Sequence, residues 1–427
     1  MNWTRRRVLG AGLATLAAAG GPAYAQAKRN VLRAEPVAAR VGGVHQDLLG
    51  FNGSWPGPEM RVGQDQDLRV RVENGLQDGV LVHWHGMRLP NRMDGVNVLT
   101  QDVIPPEMSH DYRFRVPDAG TFWYHSHYLS YDQVSRGLFG PLIVDDRRPP
   151  DVDQDITVQL FDMLVNDSGF YDEDTGVEQF TAAGRIGNVA EALISSKTVR
   201  AGDRLRLRMI NPSIDRVYEM RVRGIEGRIV ALDGMPLVTP RAVSDISLAP
   251  GQRCDVIGDV TGDAVLFEDG GLELGRISVA GTRPRRSVPV AALAPNPMPK
   301  PQGDVVEATL VLQGGAGGGR HGGSGTWALN DASGLPRRPL VDVPRGTTAR
   351  ITMRNETAFD HVMHLHGHHF WEVTATGALG DYRDGTMVRA DETRDILCLL
   401  DNPGQWMLHC HMLSHQADGM ATWLMVG

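Results

Sequence analysis

Between His409 and Met420 the chain reads HCHMLSHQADGM, placing three histidines and a cysteine in one short stretch of a protein that has only 3 Cys and 15 His. Side chains alternate between faces along an extended strand, so His409 and His411 project one way and Cys410 the other. One tripeptide can therefore serve two metal sites back to back. A thiolate, two imidazoles and a weak thioether form the ligand set of a blue copper centre. Cys410, His415 and Met420 supply three of those four donors at five-residue intervals. A second imidazole for that centre, and partners for His409 and His411, must come from elsewhere in the chain.

The elements that would position them recur along the sequence. Residues 62–74 (VGQDQDLRVRVEN), 199–211 (VRAGDRLRLRMIN) and 343–355 (VPRGTTARITMRN) each open on Val, turn, alternate apolar and polar residues, and end on Asn. Period-two alternation bounded by turn residues marks a half-buried strand, and three copies this far apart mark three homologous units rather than a short-period array. With 50 Gly and 25 Pro punctuating short strands and little helical periodicity, the expected fold is all-β, each unit an antiparallel sandwich or barrel. The boundaries are placed near 147 and 300, the second inside the linker-like LAPNPMPKPQGD.

The repeats supply the missing donors. His83 of HWHG stands nine residues after Asn74, and His364 of HLHG nine after Asn355; at that offset from Asn211 the middle unit has Met220. DAGTFWYHSH and NPGQWMLHCH match in the same way, with His125 and His127 following Gly120 as His409 and His411 follow Gly404. The pairs His83/His85, His125/His127, His364/His366 and His409/His411 are all spaced i, i+2, which puts both rings on one strand face. Eight imidazoles exceed the needs of one ion, and the motifs contain no carboxylate, so several transition ions are expected. His361, three residues before His364, completes the Cys410 site. Residues 148–300 contain no histidine, so the middle unit reads as a spacer.

Bulk properties narrow the setting. The start MNWTRRRVLGAGLATLAAAGGPAYAQ carries paired arginines (Arg5, Arg6), a short apolar run and an Ala23-Tyr24-Ala25 cleavage site, and reads as a twin-arginine (Tat) export signal over residues 1–25 that sends the protein to the periplasm through the Tat machinery. No later segment is long and apolar enough for stable membrane insertion. The net charge of −8 argues against nucleic acid as a partner, which demands a basic face. Three cysteines cannot build a disulfide framework. Cys254 and Cys398 sit in apolar strand-like runs and read as buried thiols.

HWHG, WYHSH, HVMHLHG and HCHMLSHQADGM together resemble the four copper motifs of the multicopper oxidase family, in particular the three-domain bacterial laccases and copper-tolerance oxidases, and the likeness spans the mature chain. It implies three cupredoxin-like Greek-key domains, at 26–147, 148–300 and 301–427, and four copper ions, one type 1, one type 2 and two type 3. Carried over by position, His361, Cys410, His415 and axial Met420 would hold type 1, and His83 with His364 type 2. His85, His125 and His411 would hold one type 3 ion, and His127, His366 and His409 the other. The implied activity couples one-electron oxidation of a small reductant to reduction of dioxygen to water, with electrons crossing from Cys410 to His409 and His411.

Asp94, in NRMDG, occupies the position of an acidic residue that supplies protons in the copper-tolerance relatives, although Asp-Gly also suits a plain turn. Where those relatives have a glutamate after the last type 1 histidine this chain has Gln416, so that relay is absent or rerouted through Asp418. His368 and His369 are candidates for surface residues near the type 1 site. The stretch GGAGGGRHGGSG, with its isolated His321, reads as a flexible loop. A copper nitrite reductase would not need eight cluster histidines, and non-enzymatic members shed ligands that are all present here. The remaining choice lies between a laccase-type oxidase of phenols and aromatic amines and a cuprous oxidase for copper tolerance. A methionine-rich insertion marks the latter, and the 17 Met of this chain are scattered, although Met363 and Met412 are candidates to converge on the type 1 site.

Overall fold

The computed structural model describes residues 30–166, 169–170, 184–315 and 326–427. The export signal and His321 of the glycine-rich stretch lie outside these residues. Strands dominate the regular structure of the described chain, with two short helices, Ser130–Ser135 and Leu413–Ala417, and a single 3₁₀ turn, Asn91–Met93. None of the helices among the described residues is long and apolar enough to cross a membrane.

The three sequence repeats become three equivalent strands, Asp67–Asn74, Arg204–Ile210 and Thr347–Asn355. In the first, the alternation of DLRVRVEN is realised as strict burial of every second residue, as a strand with one solvated face requires. Each repeat strand has a parallel neighbour that opens its unit, Asn30–Val41, Gln154–Met163 or Val305–Gly314. Each has an antiparallel neighbour on its other edge, Ser109–Arg115, Arg253–Glu268 or Thr393–Leu400. The closing asparagines explain why the repeat ends on that residue. Asn74, Asn211 and Asn355 are all buried, and in each the side-chain oxygen accepts the N–H two residues on (Leu76, Ser213, Thr357). Their amide nitrogens donate to the next turn at the carbonyls of Asp78, Arg216 and Phe359. An Asx corner of this kind satisfies backbone groups that the end of the strand leaves bare.

The outer units each add a second sheet, and these sheets carry the histidines. In the first unit the order is Met60–Gly63, Phe139–Asp145, Gly120–Ser126, Val82–His85; in the third it is Val341–Val343, Ala421–Val426, Gly404–Cys410, His361–Leu365, Gly385–Val388. The cores of these two units form one continuous apolar cluster, from Leu32 through Trp84 and Tyr124 to Trp406 and Cys410. The middle unit has its own core around Val158, Leu207 and Val256. Its Arg-x-Arg-x-Arg strand keeps Leu205 and Leu207 in that core. The buried guanidinium groups of Arg206 and Arg208 meet Asp255, Asp146 and Asp155. The linker is not free: buried Asn296 accepts from the N–H of Ala119 and donates to the carbonyls of Ala119 and Gly234.

Candidate metal centre

Register sets the first contacts. His83 lies opposite His125 between strands Val82–His85 and Gly120–Ser126, while Met363 lies opposite Cys410 and His364 opposite His409 between strands His361–Leu365 and Gly404–Cys410. The outer units then meet ring to ring, His83 stacking on His366 at 3.9 Å and His85 on His364 at 3.8 Å. Five buried groups result, each with its donor atoms within 4.8 Å of one another: His83, His85 and His364; His85, His125 and His411; His127, His366 and His409; His83, Asp94 and His366; and, apart from these, His361, Cys410 and His415.

Hydrogen bonds fix which nitrogen of each ring is free. His83 and His364 donate from Nδ1 to the backbone carbonyls of Asp94 (2.8 Å) and Asp384 (2.9 Å). His125 and His409 do the same to Ser126 (2.9 Å) and Cys410 (2.8 Å). His366 donates from Nδ1 to Asp94 Oδ2 at 2.9 Å. Each of these rings therefore keeps Nε2 for another partner, and the Nε2 atoms of His366 and His409 approach to 3.1 Å. His85 is turned the other way: its Nε2 lies 3.3 Å from Asp384 Oδ1, leaving Nδ1. The nitrogens Nε2 of His83, His125, His127 and His364, Nδ1 of His85 and both of His411 are buried without a hydrogen-bond partner. Unpaired buried nitrogens are costly, and neutral imidazoles presenting a bare nitrogen are what a copper ion takes.

On the opposite face of the same strand, Cys410 Sγ lies 3.7 Å from Nδ1 of both His361 and His415, and those two nitrogens are 3.1 Å apart. Thr357 Oγ1 engages His361 Nε2 at 2.8 Å, which reserves Nδ1 for the site. The N–H of Cys410 donates to the carbonyl of Met420, and that of Met420 to the carbonyl of His415. The ligand loop is thus closed on itself, with Met420 fully buried. The Trp327 ring packs 4.2 Å from that of His415. Burial pushes the Cys410 thiol up to about 12, so a thiolate forms there only with a cation to stabilise it.

Burial also holds the imidazoles neutral. His127 and His415 fall to about 3, and His85, His125, His361, His366, His409 and His411 are lowered well below the ordinary value. Their folded values lie below their unfolded ones, so this contribution to stability is complete above about 6.5 and is lost as pH falls towards the folded values. Asp215, pushed up to about 6 by burial, runs the other way with a single proton. For the copper-free chain the expected result is a fall in the denaturant midpoint as pH drops from about 6.5 to 5, at about 1.4 kcal/mol per pH unit for each proton taken up on unfolding. A flat profile over that window would show that the rings are not held neutral.

Most of the chain matches a known family. Residues 34–149, 156–264 and 312–427 each match a family model described as multicopper oxidase. The chain belongs to the multicopper oxidase family. A crystal structure of Lac15 from a marine microbial metagenome is 44% identical, with 93% of this chain and 100% of that one covered at a TM-score of 0.81. Multicopper oxidase MmcO of Mycobacterium tuberculosis is 28% identical over 92% of this chain and 85% of its own length. Laccase-1 of Botryotinia fuckeliana is 27% identical over 89% and 78%.

Two carboxylates serve the cluster of this oxidase. Asp94 is fully buried, bonded to His366 and 3.3 Å from His83 Nδ1 through Oδ1, so it is not a solvated turn residue. Asp384, which the sequence reading passed over, is its counterpart in the third unit, again the aspartate of an Asp-Gly pair. The cue lay in the repeat but was displaced, because the hairpin Phe370–Val373/Leu379–Arg383 intervenes between His364 and Asp384.

Other expectations need correcting. His368 and His369 are buried, at 3% and 2% exposure, not surface residues beside the type 1 site. His369 Nε2 lies 3.3 Å from Asp384 Oδ2, and His368 Nε2 accepts the Asn402 N–H. Asp418 accepts the Trp327 N–H through Oδ2 and so ties down the segment beside His415. The middle unit is more than a spacer: Ser414 and Leu413 donate their N–H groups to Asp215 and to the carbonyl of Ile214, which docks the helix carrying His415. Cys254 and Cys398 are buried free thiols.

Proposed function

We propose that this chain, divided as 26–147, 148–300 and 301–427, is a laccase-type oxidase that takes single electrons from small phenols and aromatic amines and passes them to dioxygen. The observation that carries the reading is the tripeptide His409-Cys410-His411, which places a thiol in one buried donor group and its two neighbours in two others. His361, Cys410 and His415, together with Met420, would hold type 1 copper, and His83 with His364 type 2. His85, His125 and His411 would hold one type 3 ion, and His127, His366 and His409 the other. Copper so bound supplies the one-electron chemistry and the reduction of dioxygen to water.

The chain's own residues set geometry, dryness and proton supply. Carbonyls of Asp94, Asp384, Ser126 and Cys410 lock five-membered rings in the tautomer that leaves Nε2 free, as outer partners of metal-bound histidines do. Trp123, fully buried, stacks on His125 at 4.3 Å and lies 5.1 Å from His85, which keeps that side of the cluster dry. Asp94 lies buried against His83 of the first unit and His366 of the third, and we assign it the delivery of protons to the cluster.

The methionines favour an organic reductant. Met363, Met412 and Met420 are 0%, 7% and 0% exposed, so the sulfurs near Cys410 belong to the packed core. Among the described residues the only exposed methionine is Met108, on the first unit. A site that captured cuprous ion would present soft thioethers to solvent, whereas an organic donor needs only close approach. We therefore expect kcat/KM for the best phenol to exceed that for cuprous ion in side-by-side steady-state assays. The reverse order, in a protein whose deletion makes cells copper-sensitive, would establish the cuprous oxidase instead.

Export to the periplasm by the Tat route completes the reading. Replacing Arg5 and Arg6 together by lysine should leave precursor in the cytoplasm, as fractionation would show; unchanged periplasmic activity would make the arginine pair incidental.

A further inference from the structure

The unit without a copper ligand sends one side chain to the cluster. Arg253 opens strand Arg253–Glu268 of the middle unit and is completely buried. Its guanidinium donates to both oxygens of Asp384 in the third unit, Nη1 to Oδ1 at 2.9 Å and Nη2 to Oδ2 at 2.5 Å. Its Nε donates to the carbonyl of Thr121 in the first unit at 3.2 Å, and Nη1 also to the carbonyl of Gly251 at 3.0 Å. One planar group thus ties all three units together.

The carboxylate it grips is the one that turns His85. Asp384 Oδ1 lies 3.3 Å from His85 Nε2 and 3.4 Å from His364 Nδ1. Burial by itself would raise the Asp384 carboxyl, but Arg253, with hydrogen bonds from His364, His369 and His85, outweighs it and holds the group well below the usual carboxylate range. An ionised oxygen accepts the Nε2 proton of His85, and that acceptance leaves Nδ1 as the free nitrogen, the opposite choice from the rings locked by backbone carbonyls.

Two glycines show how closely the middle unit is fitted to the cluster. Gly86, directly after His85, has φ +81, and a Cβ there would fall on Arg253 Nη2 and Asp384 Oδ2. Gly251, also at φ +81, would bring a Cβ to 2.9 Å from His411 and 3.0 Å from His85. The glycine that closes HWHG is therefore required by the arginine–aspartate pair as well as by its own backbone.

We propose that Arg253 is a positioning residue for the histidine cluster: its guanidinium fork fixes the Asp384 carboxylate, which in turn sets the tautomer and ring angle of His85 between the first and third units. A bidentate pair fixes orientation in a way a point charge does not. The proposal rests on reading the histidine cluster as a copper site, so wild-type loading is measured first, and a wild type without cluster copper would contradict that reading alone.

The test compares Arg253→Met, Arg253→Lys, Asp384→Leu, which removes the acceptor, and the double variant Arg253→Met/Asp384→Leu in the full-length protein. Copper retained against a chelator, the blue absorbance and the ring-nitrogen NMR signals of the histidine-labelled, copper-free protein are followed. The single variants Arg253→Met and Asp384→Leu should keep the blue band, which reports a folded third unit, and hold cluster copper about 10- to 100-fold more weakly. The His85 nitrogen signals should move towards the Nδ1–H form, Arg253→Lys should recover only part of the loss, and the double variant should be no worse than either single one. If Arg253→Met does not fold, the double variant, which leaves no buried charge unpaired, carries the same expectation for His85. Unchanged cluster copper and unchanged His85 signals, full rescue by lysine, or a loss of blue absorbance in step with cluster copper would overturn the proposal.

Discussion

Cys410→Ser should abolish the blue colour and reduce oxidase turnover to background, while copper at the three-histidine groups is largely retained. Cys410 Sγ lies 3.7 Å from both His361 Nδ1 and His415 Nδ1. A serine oxygen is a hard donor that gives no thiolate charge transfer and binds copper poorly beside two imidazoles. The strand itself does not depend on the sulfur. Gly404–Cys410 is held by its backbone pairing with Ala421–Val426 and His361–Leu365, so His409 and His411 stay in place. Optical spectra and copper analysis of the variant check both halves of this expectation. Retained colour would assign the thiol elsewhere, and loss of all copper would mean that Cys410 organises the cluster and not only its own site.

For Asp94→Asn the expected result is slower dioxygen reduction, by about a hundredfold or more, the usual cost of losing a general acid, with anaerobic bleaching of the blue band by reductant unaffected. The substitution is conservative in shape. The amide oxygen can still accept the His366 Nδ1–H that Asp94 Oδ2 now takes at 2.9 Å, and the Asp94 carbonyl that receives His83 is untouched. Ring tautomers and copper content should therefore survive, and what is removed is the group able to give up and recover a proton. Stopped-flow measurement of the two half-reactions separates these effects. Turnover within about twofold of wild type would leave Asp94 an orienting group for His366 and nothing more.

The donor residues were legible in the sequence because a strand imposes period two. Once His83/His85 and His364/His366 stand at one offset from matching asparagines, their convergence on facing sheets follows from the repeat. The asparagines themselves were legible as punctuation, though not as the buried Asx corners they form. What escaped was everything set by contacts between units. Asp384 lies beyond an inserted hairpin that breaks the offset seen at Asp94, and Arg253 belongs to a unit with no histidine to draw attention to it. His368 and His369 look like surface residues by type, yet packing against Trp406 and Tyr382 buries both. Polarity in a sequence does not reveal which polar groups will find partners across an interface.

The most direct measurement is copper analysis and visible absorption on one sample of the purified wild-type protein. Four copper ions per chain, together with a blue charge-transfer band that Cys410→Ser removes along with one of the four, is the expected result. A colourless protein carrying its full complement of copper, or a blue protein that binds a single ion, would contradict the assignment.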